Sequence, residues 1–318
     1  MSAPARRGIG DAGTLAAMEQ PSYPGAVAPE RSRDLPSVGV RLRLHEWGDP
    51  EGAPVVLCHG MFDHGRGFDT LAPLLATRFR VIAIDARGHG DSGWADAYAW
   101  FADIADIANV LRSLGRPVHL VGHSKGGGQA TDAAALYPHL VRQVANLDGF
   151  GPSPEGFRPP GFEPDARSLP ERFAAFLDRR RADDERSWRP YPSFDDLVAR
   201  RQRMNPRLSQ AWLRYFLFHA ARPVEGGWVW KVDPVAASGF GPFKPEWIGP
   251  GWARLEAPLL AVIGSEPDSW GPLPESLLEE RLSHVRLLER ATVQGAGHFI
   301  HMERPLETAE LLLRWLAA

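Results

Sequence analysis

A tight, glycine-rich turn between two regular segments constrains the fold more than any other part of the sequence. Residues 117–121 are strand-forming, residues 122–126 read G-H-S-K-G, and a helix-compatible run follows. A strand, a tight turn and a helix in this order is the context in which a G-x-S-x-G sequence lifts a serine hydroxyl above the edge of a sheet. The two glycines omit β-carbons that such a crowded turn cannot hold. Ser124 is therefore a candidate nucleophile, with an ordinary surface turn as the alternative.

Strand patterns recur on both sides of this turn. Residues 54–58, 79–84 and 257–264 are largely apolar, which is typical of strands covered on both faces of a parallel sheet. Residues 40–47 alternate apolar and polar side chains, which indicates a half-exposed edge strand. Segments with helical periodicity separate these runs. The pattern predicts an α/β fold with a doubly wound, mostly parallel sheet.

One long segment interrupts the alternation and divides the chain. Residues 150–256 contain many prolines and most of the tryptophans, and they show no strand pattern. We interpret this segment as a helical cap inserted into a core of residues 38–149 and 257–318. Helical periodicity within it is found at residues 169–180, 194–204 and 209–220. Residues 1–37 are predicted to form a mobile tail, with an arm over the active site or a neighbouring subunit as the alternative.

Charge, cysteine content and hydropathy limit the class of partner. The formal net charge is −3, which argues against nucleic acid or an anionic membrane surface as the main partner. The single cysteine, Cys58, cannot form an internal disulfide. No stretch approaches the ~20 apolar residues of a membrane span, and the first residues lack the apolar core of a secretory signal. We therefore expect a soluble, cytoplasmic protein that acts on a small molecule, and the oligomeric state is left open.

Polar residues stand where the predicted strands end. Ligands of open α/β sheets bind beyond the carboxyl ends of the strands, so side chains at those ends can meet at one rim. The residues that share this position are His59, Asp85, Ser124, Asp148, Asp268 and His298. This shared position favours a catalytic rather than a structural role for the serine.

The base that activates the serine is expected after the last predicted strand. A serine hydroxyl is a poor nucleophile until a neighbouring group takes its proton. His298 follows that strand, and the small residues Gly295 and Gly297 leave room for an imidazole to reach over the sheet edge. His301 is the rival, three residues later and closer to the closing helix.

The acid that orients this base has more than one candidate. A carboxylate must hold the imidazole in the right tautomer and balance the charge of the imidazolium. Asp268, after the strand that resumes the sheet, is the preferred acid. Asp148 is the alternative, and it follows the next strand after the helix that begins beyond Ser124. Glu266 is a third candidate. An aspartate in either loop can also be a turn or helix cap, so one of the two is expected to be structural.

Two backbone amides are expected to bind the oxyanion that forms on a substrate carbonyl. One belongs to Lys125, directly after the serine, and the other to Met61, in the loop after His59 and Gly60. Gly60 permits the turn and His59 braces it, while the side chain of Lys125 is expected to be solvated. No metal or cofactor is predicted: residues 59–64 nearly match a zinc-ligand run, but methionine replaces its middle histidine, and a thioether is a poor zinc ligand.

Four motifs carry a family resemblance. They are H-G-x-x at residues 59–62, D-x-R-G-H-G-x-S at residues 85–92, the turn at residues 122–126, and G-H-x-x-H-x-x-x-P at residues 297–305. Together they resemble the α/β-hydrolase superfamily with a helical cap, and residues 61–75 are similar to its serine-hydrolase-like subgroup.

The resemblance implies a nucleophile, a base and a cap that governs substrate access. The implied nucleophile is Ser124 and the implied base is His298. Family members with an aspartate nucleophile, the dehalogenases and epoxide hydrolases, are similar elsewhere, but serine argues against those activities. Dehalogenase-type members place their acid after the strand that precedes Asp148, which keeps that residue open as the acid.

The expected activity is hydrolysis of a small, apolar carboxylic ester through an acyl-enzyme. The aromatic side chains of the insertion fit an apolar acyl or alcohol pocket. A lactonase uses the same chemistry on a cyclic ester. C–C bond hydrolysis or a cofactor-free lyase reaction on the same scaffold is the second class, and a non-catalytic ligand receptor is the third.

Overall fold

The computed structural model describes residues 18–95, 98–151, 188–237, 248–268, 270 and 273–317, with a few positions between 168 and 178. Within this part of the chain the strands are β1 (Arg31–Ser37), β2 (Val40–Trp47), β3 (Pro54–Cys58), β4 (Arg80–Ile84), β5 (Val118–His123), β6 (Val141–Leu147), β7 (Ala221–Val224), β8 (Gly227–Trp230), β9 (Leu259–Gly264) and β10 (Leu288–Val293). The α-helices there are α1 (Ala72–Leu75), α2 (Trp100–Ser113), α3 (Lys125–Leu136), α4 (Phe194–Met204), α5 (Gln210–Ala220), α6 (Pro234–Ala237), α7 (Glu275–Leu282), α8 (Ile300–Glu303) and α9 (Pro305–Leu316). Short 3₁₀ turns lie at Gly65–Phe68, Pro138–Leu140 and Pro250–Arg254.

Eight of these strands form one sheet in the order β1-β2-β4-β3-β5-β6-β9-β10. Strands β1 and β2 are antiparallel to their neighbours, and all pairs from β4 to β10 are parallel. This order confirms the predicted doubly wound, mostly parallel sheet. The carboxyl ends of β3, β5, β6 and β9 therefore lie along one rim.

Apolar strands make the sheet the centre of the core. All five residues of β3 are buried, and they alternate between the two faces: Val56 packs on the side of α2 and α3, whereas Val55 and Leu57 pack on the side of α1 and α9. Each fully buried side chain of this size contributes about 1.5–3 kcal/mol to folding. Burial on both faces explains why the parallel strands are continuous apolar runs.

The edge of the sheet differs from the prediction. Strand β1 pairs with β2 over seven residues, so β2 is not the edge, and residues 31–37 are part of the sheet rather than of a mobile tail. Arg33 holds this strand with an ion pair to the buried Glu46 at 2.6 Å, and Ser37 donates a hydrogen bond to Asp106 at 2.5 Å. The polar composition of β1 does not indicate a strand, and the residues that pair with its side chains are distant in sequence. Residues 1–17 lie outside the described residues.

The insertion after β6 is not entirely helical. Helices α4 and α5 confirm two of the predicted helical patterns, but β7 and β8 form an antiparallel hairpin that the sequence analysis did not expect. Gly226, with φ 82°, and Gly227, with φ 138°, supply the left-handed backbone of its turn. Of the pattern predicted at residues 169–180, the described positions 170, 171, 174, 175 and 178 are helical, and the other positions lie outside the described residues.

Candidate active site

Ser124 occupies a strained turn between β5 and α3. Its backbone has φ 52° and ψ −124°, which a non-glycine residue rarely adopts. Its amide donates to the carbonyl of Leu147 at 3.0 Å, which ties the turn to β6. A β-carbon on Gly122 would overlap the carbonyl of Gly126, and one on Gly126 would overlap the carbonyl of Cys58. The turn therefore has the shape predicted from its G-x-S-x-G sequence, with the serine half-buried at the start of α3.

The imidazole of His298 is bound to Asp148. Nδ1 of His298 and Oδ2 of Asp148 are 2.6 Å apart, and both side chains are almost completely buried. A carboxylate only accepts hydrogen bonds, so Nδ1 carries the proton and the lone pair is on Nε2. Asp148 follows β6 and has φ 51°, a left-handed conformation that directs the backbone out of the strand. A carboxylate bound to one ring nitrogen leaves the other nitrogen able to take a proton, which is the relation between an imidazole base and the acid that orients it.

Asp268, the preferred acid of the sequence analysis, has different contacts. Its Oδ2 accepts the backbone N–H of His298 at 3.3 Å, and its Oδ1 accepts the backbone N–H of Trp270 at 3.1 Å. The imidazole partner is instead the alternative, Asp148, because the end of β6 lies beside the histidine ring while Asp268 caps the backbone of the histidine loop. Glu266 accepts a hydrogen bond from the Ser265 hydroxyl at 3.0 Å.

His301, the rival base, is part of the core. Its side chain is 1% exposed, and its ring packs against Phe68 and His123 at centroid distances of 4.7 and 4.5 Å. Burial, followed by the charges of His298 and His59, lowers its pKa to about 3, so it is neutral at physiological pH. These contacts give it a packing role beside the imidazole of His298.

His123, the residue before Ser124, is bound to the loop of His298. Nε2 of His123 donates to the backbone carbonyl of His298 at 2.9 Å. This bond joins the turn that carries Ser124 to the loop that carries His298. Sequence reasoning treated His123 only as the variable residue of the G-x-S-x-G motif, and nothing in the local pattern indicates a partner 175 residues away.

The loop after β3 forms a turn against Ser124. The amide of Asp63 donates to the carbonyl of Gly60 at 3.3 Å, and Phe62 has φ 63°. A β-carbon added to Gly60 would lie 2.9 Å from Oδ2 of Asp63 and 3.2 Å from the β-carbon of Ser124, so the absence of a side chain at Gly60 allows the turn to pack tightly against Ser124. Met61 is the second residue of the turn, next to the point of closest approach.

His59 braces this turn, as the sequence predicts. The backbone N–H of Ala86 donates to Nε2 of His59 at 3.0 Å, so Nδ1 carries the proton and donates to the carbonyl of Gly60 at 2.7 Å. Burial lowers the pKa of His59, which keeps the ring neutral.

The side chain of Lys125 is not solvated, and this prediction was wrong. Its ammonium nitrogen lies 2.8 Å from Oδ2 of Asp103 on α2, and the lysine side chain is 8% exposed. The same carboxylate accepts a hydrogen bond from Gln129 at 2.7 Å. An acidic residue on the neighbouring helix therefore draws the lysine into the interior. Lys125 is nevertheless the first residue of α3, where backbone amides point towards the helix N-terminus.

A buried ion pair beside the site was not predicted. Nη2 of Arg201, on α4, lies 2.6 Å from Oδ1 of Asp63, and the two side chains are 3% and 1% exposed. Asp63 lies in the run at residues 59–64 that the sequence analysis compared with a zinc-ligand run. Its partner lies 138 residues away in the insertion, so the local sequence does not indicate the ion pair.

The described residues contain no group of three or more histidine, cysteine, aspartate or glutamate side chains arranged to hold a metal ion. No helix among them combines the length and hydropathy of a membrane span.

Comparisons with known proteins give a family and several relatives. A model of the alpha/beta hydrolase family matches residues 55–311. A serine hydrolase-like protein from Danio rerio is 33% identical over 196 residues, 60% of this chain, and the chain spans 58% of that relative's length. The sn-1-specific diacylglycerol lipase of Mus musculus is 25% identical over 276 residues, 85% of this chain and 83% of the lipase. The solved thioesterase domain from the curacin biosynthetic pathway shares the fold, with a TM-score of 0.76 and 24% identity over 89% of this chain and 99% of that domain.

Proposed function

The chain belongs to the alpha/beta-hydrolase family as a serine hydrolase, and from this premise we propose that it cleaves small, apolar carboxylic esters through an acyl-enzyme on Ser124. The observation that carries the proposal is the hydrogen bond between His298 and Asp148, at the same rim of the sheet as the strained serine. A lipase among the relatives supports ester hydrolysis as the reaction.

In the first step, the Ser124 hydroxyl attacks the ester carbonyl. Nε2 of His298 takes the hydroxyl proton, and Asp148, bound to Nδ1, stabilises the imidazolium that forms. The tetrahedral intermediate then expels the alcohol, which receives the proton from Nε2. General base catalysis of this kind contributes about 10²–10⁴-fold to the rate.

Two backbone amides are proposed to donate hydrogen bonds to the negatively charged oxygen of the intermediate. The amide of Lys125 belongs to the first turn of α3, where the helix dipole favours negative charge. The amide of Met61 belongs to the turn that packs against Ser124 through Gly60. Each such donor stabilises the transition state by about 3–4 kcal/mol.

In the second step, water hydrolyses the acyl-enzyme. His298 takes a proton from the water and returns it to Ser124 as the acid leaves. The hydrogen bond to Asp148 keeps the imidazole in one tautomer through both steps. All proton transfers of the cycle occur at Nε2.

The proposal is tested by ester turnover. Wild-type protein is assayed with p-nitrophenyl esters of increasing acyl length and with lactones, beside Ser124→Ala and a control, Ser113→Ala. Ser113 is exposed at the end of α2 and bonds to Val110. We expect Ser124→Ala to lower kcat by at least about 10⁴-fold, and the control to match wild type. Equal turnover by wild type and Ser124→Ala would refute the proposal, and a clear preference for lactones would make the protein a lactonase.

A further inference from the structure

A buried ion pair joins the insertion to the turn that contains Met61. Arg201 lies on α4, and its guanidinium reaches the carboxylate of Asp63 at 2.6 Å. Asp63 closes that turn through its amide, which donates to the carbonyl of Gly60. The contact therefore connects a helix of the insertion to one of the two amide groups proposed to bind the oxyanion.

The turn has an unfavourable backbone and needs anchors. Phe62 has φ 63°, a conformation that is unfavourable for a non-glycine residue and persists only when surrounding contacts hold it. His59 holds the first end through its bond to the Gly60 carbonyl. At the other end the side chain of Asp63 makes its shortest contact with Arg201.

The Asp63 carboxylate lies next to the turn that carries Ser124. A β-carbon on Gly60 would be 2.9 Å from Oδ2 of Asp63, 3.0 Å from Nδ1 of His123 and 3.2 Å from the β-carbon of Ser124. These groups thus surround one point. An uncompensated carboxylate there would oppose the oxyanion, because like charges repel strongly where water is excluded.

Arg201 supplies the compensating charge. His123 also approaches Asp63, at 3.8 Å, but burial, followed by the charges of His301 and His298, holds its pKa well below the usual value, so its ring is neutral. The guanidinium lies near the rings of Phe216, Phe299 and Trp230, with centroid distances of 5.2, 5.8 and 6.0 Å. Aromatic faces at these distances favour a cation.

We infer that Arg201 is a positioning residue for the proposed ester hydrolysis: it holds Asp63, and through Asp63 the turn that presents the Met61 amide, and it cancels the carboxylate charge beside the oxyanion. The inference rests on the proposed function. A role in binding a substrate carboxylate is disfavoured because the guanidinium is already paired with Asp63.

The test separates positioning from folding by removing one charge or both. The variants are Arg201→Gln, Arg201→Lys and the double variant Asp63→Asn/Arg201→Gln, assayed for kcat, KM and Tm with the best ester. Arg214→Gln is the control, because Arg214 pairs with Asp195 within the insertion and their side chains are 40% and 75% exposed. A wild type without any ester turnover would refute the proposed function, whereas the comparison among variants tests Arg201.

We expect Arg201→Gln to lower kcat by about 100-fold with KM within about threefold, because small displacements of a catalytic group have effects of this size. The double variant should recover Tm, since no charge is left unpaired, but still lose about tenfold in kcat. Arg201→Lys should restore part of kcat. If the double variant regains both Tm and kcat, the pair is only structural and the inference fails. An increase in KM alone, with kcat unchanged, would also overturn it by assigning Arg201 to substrate binding.

Discussion

Replacing Asp148 by asparagine tests which carboxylate orients the base. The substitution keeps the size of the side chain and removes its charge. Asparagine also tolerates the left-handed backbone at this position, φ 51°, better than most residues, so the turn after β6 should remain intact. The expected effect is therefore on the imidazole of His298 and not on the fold.

The magnitude follows from the 2.6 Å bond between Asp148 and His298. An amide either offers N–H to Nδ1, which forces the proton onto Nε2, or accepts from Nδ1 without balancing the imidazolium. The first arrangement abolishes the base, and the second weakens it. In Ser-His-Asp triads the same change lowers kcat by about 10⁴-fold, which corresponds to about 5 kcal/mol of transition-state stabilisation.

Asp268→Asn is the matched control for this experiment. The amide oxygen of asparagine can still accept the backbone N–H of His298, the contact that Asp268 makes at 3.3 Å. We expect its kcat to stay within about threefold of wild type. Both variants are measured by steady-state ester hydrolysis, with Tm recorded to verify folding. A collapse of kcat in Asp268→Asn with near-normal turnover in Asp148→Asn would refute the reasoning.

Two further predictions concern stability. The pKa of His301 is lowered to about 3 in the fold, so between about pH 6.5 and 3 the unfolded chain binds the extra proton, and stability falls as the pH falls. Urea titrations should show wild type losing about 2 kcal/mol more than His301→Phe between pH 7 and 5; equal losses would contradict the pKa shift. Deleting residues 1–37 removes β1 and its ladder with β2, and should lower the free energy of unfolding by at least about 2 kcal/mol. An unchanged Tm would show that β1 contributes nothing to stability.

Local patterns predicted the features that depend on neighbouring residues. The turn at Ser124 was predictable because its glycines, the strand before it and the helix after it are adjacent in sequence. The position of His298 was predictable because the carboxyl ends of parallel strands share one rim. The continuous apolar runs of β3 and β4 reflect burial on both faces of the sheet.

Features that depend on distant partners were not predictable. Asp148 and Asp268 both follow strands, and only the placement of β6 beside the histidine loop decides which carboxylate meets the imidazole. The buried lysine at position 125 depends on Asp103 of α2, and Arg201 depends on a turn 138 residues earlier. In each case charge pairing across the fold outweighs the surface preference of the side chain.

The central claim is that Ser124 is an activated nucleophile, and covalent trapping tests it most directly. The protein is treated with a fluorophosphonate probe, its intact mass is measured, and the modified peptide is mapped, with Ser124→Ala as the control. The account predicts one adduct per chain, on Ser124, that is absent from the alanine variant. A folded wild-type protein that forms no adduct, or forms one on another residue, would contradict the account.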